Sequence, residues 1–165
     1  MAKNQILTQS AEETMALAKR LARHLKGGAI ICLYGDLGCG KTTFVKGMAS
    51  GLKINPTKVN SPTFVLMNIY EGKSPLYHFD FYRLETVDEI GAIGYDEFLY
   101  GDGISVIEWA ERFGSLLPKE YLSVKFSHKG EGKRLLRFQA KGGKYKELLI
   151  KATQSQINKC CFVSM

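Results

Sequence analysis

Apolar positions along this 165-residue chain switch between helical and strand spacing, and the switches mark out its elements. Met15, Ala18, Leu21, Ala22 and Leu25 fall three or four apart, which predicts an amphipathic helix over residues 11–26. Ser10 and Glu13 form a capping box at its start, and Gly27-Gly28 ends it. Residues 29–34 are a continuous apolar run, read as a buried strand, and residues 43–50 continue as a helix that Gly51 can stop. After a loop at 53–60, strands are expected over 64–70 and 76–80. The short link at 71–74 makes them antiparallel neighbours. Thr86 and Glu89 open a second capping box, whose helix must be brief because Gly91 and Gly94 interrupt it; residues 96–100 add another turn. Residues 104–108 read as a buried strand and 109–113 as a helical turn leaving its end. Beyond Pro118, residues 122–126 and 135–139 alternate and are joined by 128–133, a β-hairpin. Residues 143–157 form a weaker terminal helix. The chain thus reads as one domain over 1–157 with a flexible tail at 158–165.

This order of elements predicts an α/β fold: a mostly parallel central sheet with antiparallel additions and a C-terminal β-hairpin. Composition adds little, since 45% apolar and 24% charged residues are ordinary for a globular protein. No apolar run approaches the roughly 18–20 residues of a membrane span, and the N-terminus lacks the apolar stretch of a signal peptide. A cytoplasmic protein with no membrane partner is expected. The four cysteines, Cys32, Cys39, Cys160 and Cys161, form neither a disulfide framework nor a zinc pattern. Cys161 is fifth from the end, so it makes no prenylation box. Charge does change the picture. Residues 1–60 carry 9 basic and 3 acidic side chains, residues 61–118 carry 3 and 10, and residues 119–165 carry 11 and 3. An acidic middle between basic flanks reads either as docking to a partner or nucleic acid, or as solvated faces plus the local demand of a phosphate site.

That phosphate site is Gly35-Asp36-Leu37-Gly38-Cys39-Gly40-Lys41-Thr42-Thr43, a match to G-x-x-x-x-G-K-[ST] set between the strand at 29–34 and the helix at 43–50. Glycines let the backbone turn tightly and bring its N–H groups to phosphate oxygens, and the helix N-terminus adds partial positive charge. Lys41 would reach the β- and γ-phosphates and the Thr42 hydroxyl would ligate magnesium. A chance match in a chain this long is roughly one in a hundred or less. The expected architecture is therefore the three-layer sandwich of a P-loop NTPase.

Hydrolysis also needs an acid for the metal and a group that orients water. Asp80 and Glu108 both sit at the carboxyl ends of predicted strands, where open α/β sheets bind ligands. Thr63, after Pro62 at a loop-to-strand boundary, is placed to sense the γ-phosphate as a switch residue. The helix before the first strand lies where it could border a nucleotide base, which makes Ser10 and Thr14 candidate base or ribose contacts, with capping the plainer role for Ser10. Three functions remain open: an ATPase; a small P-loop kinase transferring the γ-phosphate to a metabolite, with Arg134 and Arg137 as lid arginines on the hairpin; and a binding module switched by nucleotide. A GTPase is disfavoured, because Thr57-Lys58-Val59-Asn60 lacks the aspartate of N-K-x-D.

The P-loop, then Ser61-Pro62-Thr63-Phe64, then Tyr77-His78-Phe79-Asp80-Phe81-Tyr82-Arg83, then Ile107-Glu108-Trp109 resemble the TsaE (YjeE) family in order and spacing from about residue 10 to 140. The resemblance implies a small bacterial P-loop ATPase, using ATP and Mg2+. Such a protein is required for threonylcarbamoyladenosine at position 37 of tRNAs reading codons that begin with adenine. It implies partnership with TsaD and TsaB, where TsaD performs the transfer and this protein resets or regulates the complex. Contact with tRNA, direct through the basic C-terminal region or indirect, follows from the same reading; DNA is not an expected partner. Carried over, Lys41 and Thr42 keep their roles, Glu108 matches the magnesium-associated acid, Asp80 an acid near the γ-phosphate, and Thr63 the switch threonine. Trp109 matches the aromatic beside the acid, and Arg134 a basic residue near the nucleotide. The family usually has alanine where this chain has Cys39. A thiol at a helix N-terminus can gain a lowered pKa and react when exposed; the plainer reading is a tolerated replacement.

Overall fold

The computed structural model describes residues 4–160, with side chains described as far as Thr153. Its strands are β1 (Gln5–Thr8), β2 (Ile30–Tyr34), β3 (Met67–Tyr70), β4 (Leu76–Asp80), β5 (Ile104–Glu108), β6 (Tyr121–His128) and β7 (Arg134–Lys141). They form one sheet in the order β1-β7-β6-β2-β5-β4-β3. The four central strands are mutually parallel, and the pairs at both edges are antiparallel. The α/β architecture with a mostly parallel centre and a C-terminal hairpin is the observed one.

Burial explains the two strand patterns. Helices α1 (Ala11–Ala22), α2 (Lys41–Gly51) and α5 (Gly143–Cys160) pack on one face, where Leu17, Leu21, Phe44 and Met48 meet Ile31, Leu33, Val106 and Val124. On the other face, α3 (Val87–Ala92), α4 (Asp96–Leu99) and a 3-10 segment (Ala110–Leu116) bring Ile90, Leu99 and Phe113 against Ile30, Cys32, Phe79 and Ile107. Strands β2 and β5 are covered on both sides and so read as continuous apolar runs. Strands β6 and β7 are covered on one side and so alternate.

One strand was missed and three local expectations are corrected. Strand β1 was not legible in the local pattern, because four residues are held by pairing to β7 rather than by periodicity. The strand expected at 64–70 begins only at Met67. Before it, the amides of Val65 and Leu66 fold back to the Pro62 carbonyl (3.1 and 2.6 Å), Leu66 takes a φ of 68°, and Phe64 and Val65 stay exposed. The helix expected over 11–26 stops at Ala22, since His24 and Leu25 donate to carbonyls three residues back and tighten the last turn. The terminal helix runs to Cys160 instead of 157; the expected tail at 158–165, with Cys160 and Cys161, lies outside the residues described to the side chain. Among the described residues no helix is long and apolar enough to cross a membrane.

One close contact fixes where the phosphate loop's helix lies. Gly47 and Gly51 of α2 face the backbone of α1, and a Cβ on either would overlap the carbonyl oxygen of Met15 or Lys19. The two helices can therefore approach only if both positions are glycine. Gly47→Val should destabilise the fold by about 1–3 kcal/mol through overpacking, read as a lower urea midpoint at unchanged slope.

Candidate nucleotide-binding site

Strand register gathers the site. Asp80 and Glu108 are direct partners at the ends of β4 and β5, and Glu108 is also level with Leu33 of β2, whose exit is the phosphate loop. A cleft of about 390 Å³ opens over these strand ends. Gly38, Gly40, Lys41, Thr42 and Thr43 form one wall, with Leu37 at the exposed loop tip. Asp80, Glu108, Ser61 and Thr63 form another, and Tyr82, Trp109 and Arg134 close the sides.

Helix α2 differs from its neighbours at its N-terminus. Helices α1 and α3 are capped by Ser10 and Thr86 and carry two acids each in their first turn. Helix α2 starts behind Gly40, with no side-chain cap and no acid in its first turn. Its first N–H groups have neither a capping side chain nor an acid of their own first turn, which is the arrangement that takes an anion. Gly40 has a φ of 104°, and a Cβ there would run into the Arg134 side chain, so only glycine fits. Arg134 lies across the loop, donating from Nε to the Cys39 carbonyl (3.1 Å) and from a terminal nitrogen to the Gly132 carbonyl (2.9 Å).

Lys41 is buried, and its ammonium is satisfied by the carbonyls of Gly35 (2.5 Å) and Asp36 (2.9 Å). It also sits 4.1 Å from the centre of the Trp109 ring. Trp109 holds a left-handed backbone conformation (φ 58°) directly after Glu108, and its ring packs at 4.9 Å on Tyr82. Non-glycine residues in that region are strained and gather at functional sites.

The two acids have separate donor sets. Glu108 Oε1 accepts from the Thr42 hydroxyl (2.8 Å) and pairs with His78 Nε2 (2.8 Å). Its other oxygen takes no protein hydrogen bond among the described residues. Asp80 Oδ2 accepts from Ser61 (2.6 Å) and Thr63 (2.9 Å), and its Oδ1 accepts from the Tyr82 amide (2.9 Å). Ser61 and Thr63 lie 2.7 Å apart. The Thr42 hydroxyl and the Glu108 carboxylate offer hard oxygen donors side by side. That suits magnesium, which takes one or two protein oxygens and completes its octahedron with water and phosphate.

Other expected residues fall elsewhere. Ser10 caps α1 through the Glu13 amide (3.1 Å), and Thr14 is buried against Thr8 (2.8 Å); neither lines the cleft. Arg137 stands on the opposite side of its strand from the buried residues of β7, away from the cleft. Cys39 lies buried beneath the loop, 3.6 Å from Lys41 Nζ. Burial raises its thiol pKa above the usual value, outweighing the lowering by Lys41. The plainer reading, a tolerated replacement, is the one this favours over an activated thiol, since the charged form is desolvated. His78 and Tyr82 were not picked out as site residues. A signal for His78 was there: like Asp80 two residues on, it is a polar side chain at an inward-facing position of the strand Leu76–Asp80, and it is fully buried on Glu108.

A family model described as "Threonylcarbamoyl adenosine biosynthesis protein TsaE" matches residues 8–136. A Bacillus subtilis relative named tRNA threonylcarbamoyladenosine biosynthesis protein TsaE is 44% identical over 142 residues, covering 86% of this chain and 88% of its own. Relatives of the same name from Treponema pallidum and Aquifex aeolicus are 40% and 48% identical, over 78% and 66% of this chain and 94% and 77% of theirs. A crystal structure of YdiB from Bacillus subtilis superimposes with a TM-score of 0.78 at 35% identity, covering 92% of this chain and 95% of that one.

Two outcomes follow from this geometry. In the folded protein at pH 8, Cys39 should react with iodoacetamide far more slowly than in urea, read by mass spectrometry of its peptide, because few buried thiols are ionised. His78→Ala removes a donor from a buried carboxylate and should destabilise the fold by about 1–3 kcal/mol in urea unfolding, with His78→Asn restoring part of it.

Proposed function

The chain belongs to the TsaE family and so to the biosynthesis of tRNA threonylcarbamoyladenosine; from that premise we propose that it is a weak Mg2+-dependent ATPase that regulates the TsaD–TsaB transfer complex in the cytoplasm. The observation that carries the reading is the facing of two separately satisfied acids, Glu108 and Asp80, toward the uncapped N-terminus of α2.

On this reading the loop amides and α2 cradle the phosphates of ATP, and Lys41 exchanges the Gly35 and Asp36 carbonyls for β- and γ-phosphate oxygens. Thr42 and Glu108 would hold Mg2+, which when bound neutralises phosphate charge. His78 keeps Glu108 aimed at Thr42. Asp80 orients the attacking water, and its bonds to Ser61 and Thr63 couple that segment to the γ-phosphate end of the cleft. Arg134 adds positive charge over the loop. Loss of the γ-phosphate would leave the Ser61–Thr63 segment with a different set of partners, which is how the partner proteins would sense the nucleotide state. The alternative of a small kinase loses one of its two lid arginines, since Arg137 faces away from the cleft.

Phosphate release without any acceptor, measured with and without TsaD–TsaB, tests the proposal; phosphoryl transfer to a small molecule would contradict it. Lys41→Ala should lower turnover by about 10²–10³-fold, as for loss of one preorganised donor to developing charge. Asp80→Asn should keep nucleotide affinity while losing hydrolysis. Glu108→Gln should raise the Mg2+ concentration needed for tight ATP binding, read by fluorescent-nucleotide titration. Equal loss of binding and hydrolysis in Asp80→Asn would contradict the division of roles.

A further inference from the structure

The half of the sheet formed by β1, β7 and β6 is covered on one face only. Leu122, Val124, Phe126, Leu136 and Phe138 point into the core shared with α1 and α5, so the alternate positions stand on the other face. Register sets these in rows. Gln5, Arg137, Lys125 and Tyr34 are successive partners across β1, β7, β6 and β2, and Lys141 is the partner of Tyr121.

Three observations make this face more than a solvated surface. Lys125 and Arg137 are directly opposed, exposed like charges, a pairing that weakens a sheet unless something neutralises it. Lysine as a guard of sheet edges does not explain them, because β6 and β7 are interior strands and the edge is β1. No cation of the face is neutralised by the described residues: the one ion pair among them is His78–Glu108, so Lys125, Arg137 and Lys141 have no carboxylate partner there. No strand position on the face is acidic, and acids stay at its margins, Glu111 near Tyr34 and Glu120 beside Gly142. Finally, the sheet order separates the charges of the sequence. The acidic stretch 61–118 builds β3, β4 and β5 at one side, and the basic C-terminal stretch builds β6 and β7 at the other.

We propose that this open face docks RNA, taking the sugar-phosphate backbone of the tRNA on which the family's pathway acts. Lys125, Arg137 and Lys141 would meet phosphates, while Ser123, Ser127 and Gln139 supply hydrogen bonds to phosphate and 2′-hydroxyl groups. Lys141 stands four residues from Arg137, roughly 13 Å along the strand, so the cations follow an extended backbone. The aromatics of the face, Tyr34 and Tyr121, stand at its margin and pack on the neighbouring core, so its centre carries no aromatic anchor of the kind that dominates protein–protein interfaces, which favours RNA over an acidic protein. The proposal rests on the tRNA-modification role and not on ATP hydrolysis.

Titration of the full chain, without nucleotide, into a fluorescein-labelled anticodon stem-loop of a tRNA reading codons that begin with adenine tests it by anisotropy across a range of KCl concentrations. Wild-type affinity should fall with salt, and the combined variant Lys125→Ser, Arg137→Ser, Lys141→Ser should flatten the slope of log K against log salt by about 2–3, near 0.7–0.9 per lost phosphate contact. Its melting temperature should match or exceed that of the wild type, because a repelling pair has been removed. A control variant, Lys144→Ser, Lys146→Ser, Lys151→Ser on α5, should bind like the wild type. No binding by the wild type, full affinity in the face variant, or equal loss in the α5 control overturns the proposal. So does loss of an acidic protein partner with RNA affinity intact. Acceptor-free ATPase activity, measured in parallel, separates failure here from failure of the hydrolytic reading.

Discussion

Two carboxylates end adjacent parallel strands at the same level, and the site is built around keeping both there. Asp80 and Glu108 are register partners, on strands about 4.8 Å apart, and like charges so placed repel unless each has its own donors. The protein solves this by dividing the surroundings. Glu108 takes the Thr42 hydroxyl and His78, and Asp80 takes Ser61, Thr63 and the Tyr82 amide. One acid is thereby tied to the phosphate loop and the other to the segment before β3. That division is what allows a single cleft to hold a metal at one end and sense a γ-phosphate at the other.

The remaining architecture serves this pairing. Parallel pairing of β2 with β5 sets the loop exit level with Glu108, and the glycine contact between α1 and α2 fixes the helix whose uncapped end faces both acids. The same sheet order carries a second consequence. It places the acidic middle of the chain on one side and the basic hairpin on the other, so nucleotide chemistry and a cationic open face share a scaffold without sharing residues.

Much of this was legible in the sequence, for local reasons. The loop, the buried runs of β2 and β5, and the acids at strand ends are each encoded within a few residues. What was not legible depends on partners distant in sequence. Strand β1 exists through β7, and the Lys125–Arg137 opposition exists only once the hairpin register is known. The polarity of His78 at an inward strand position was a signal, but its role shows only with Glu108 against it, 30 residues on. Residues 64–66 were read as strand because Phe64 and Val65 are β-formers, yet both are exposed and the backbone folds on Pro62. For Cys39 the sequence left two readings, because position at a helix N-terminus argues for a low pKa, and only burial decides for the tolerated replacement.

The assignment of the metal to Glu108 and of the γ-phosphate segment to Asp80 is tested most directly by locating Mn2+ in a crystal of the protein with a non-hydrolysable ATP analogue, using the anomalous signal of the metal. The account predicts the ion beside the Thr42 hydroxyl and the Glu108 carboxylate, with Asp80 still holding Ser61 and Thr63. An ion bound directly by Asp80, with Glu108 left to His78 alone, would contradict it.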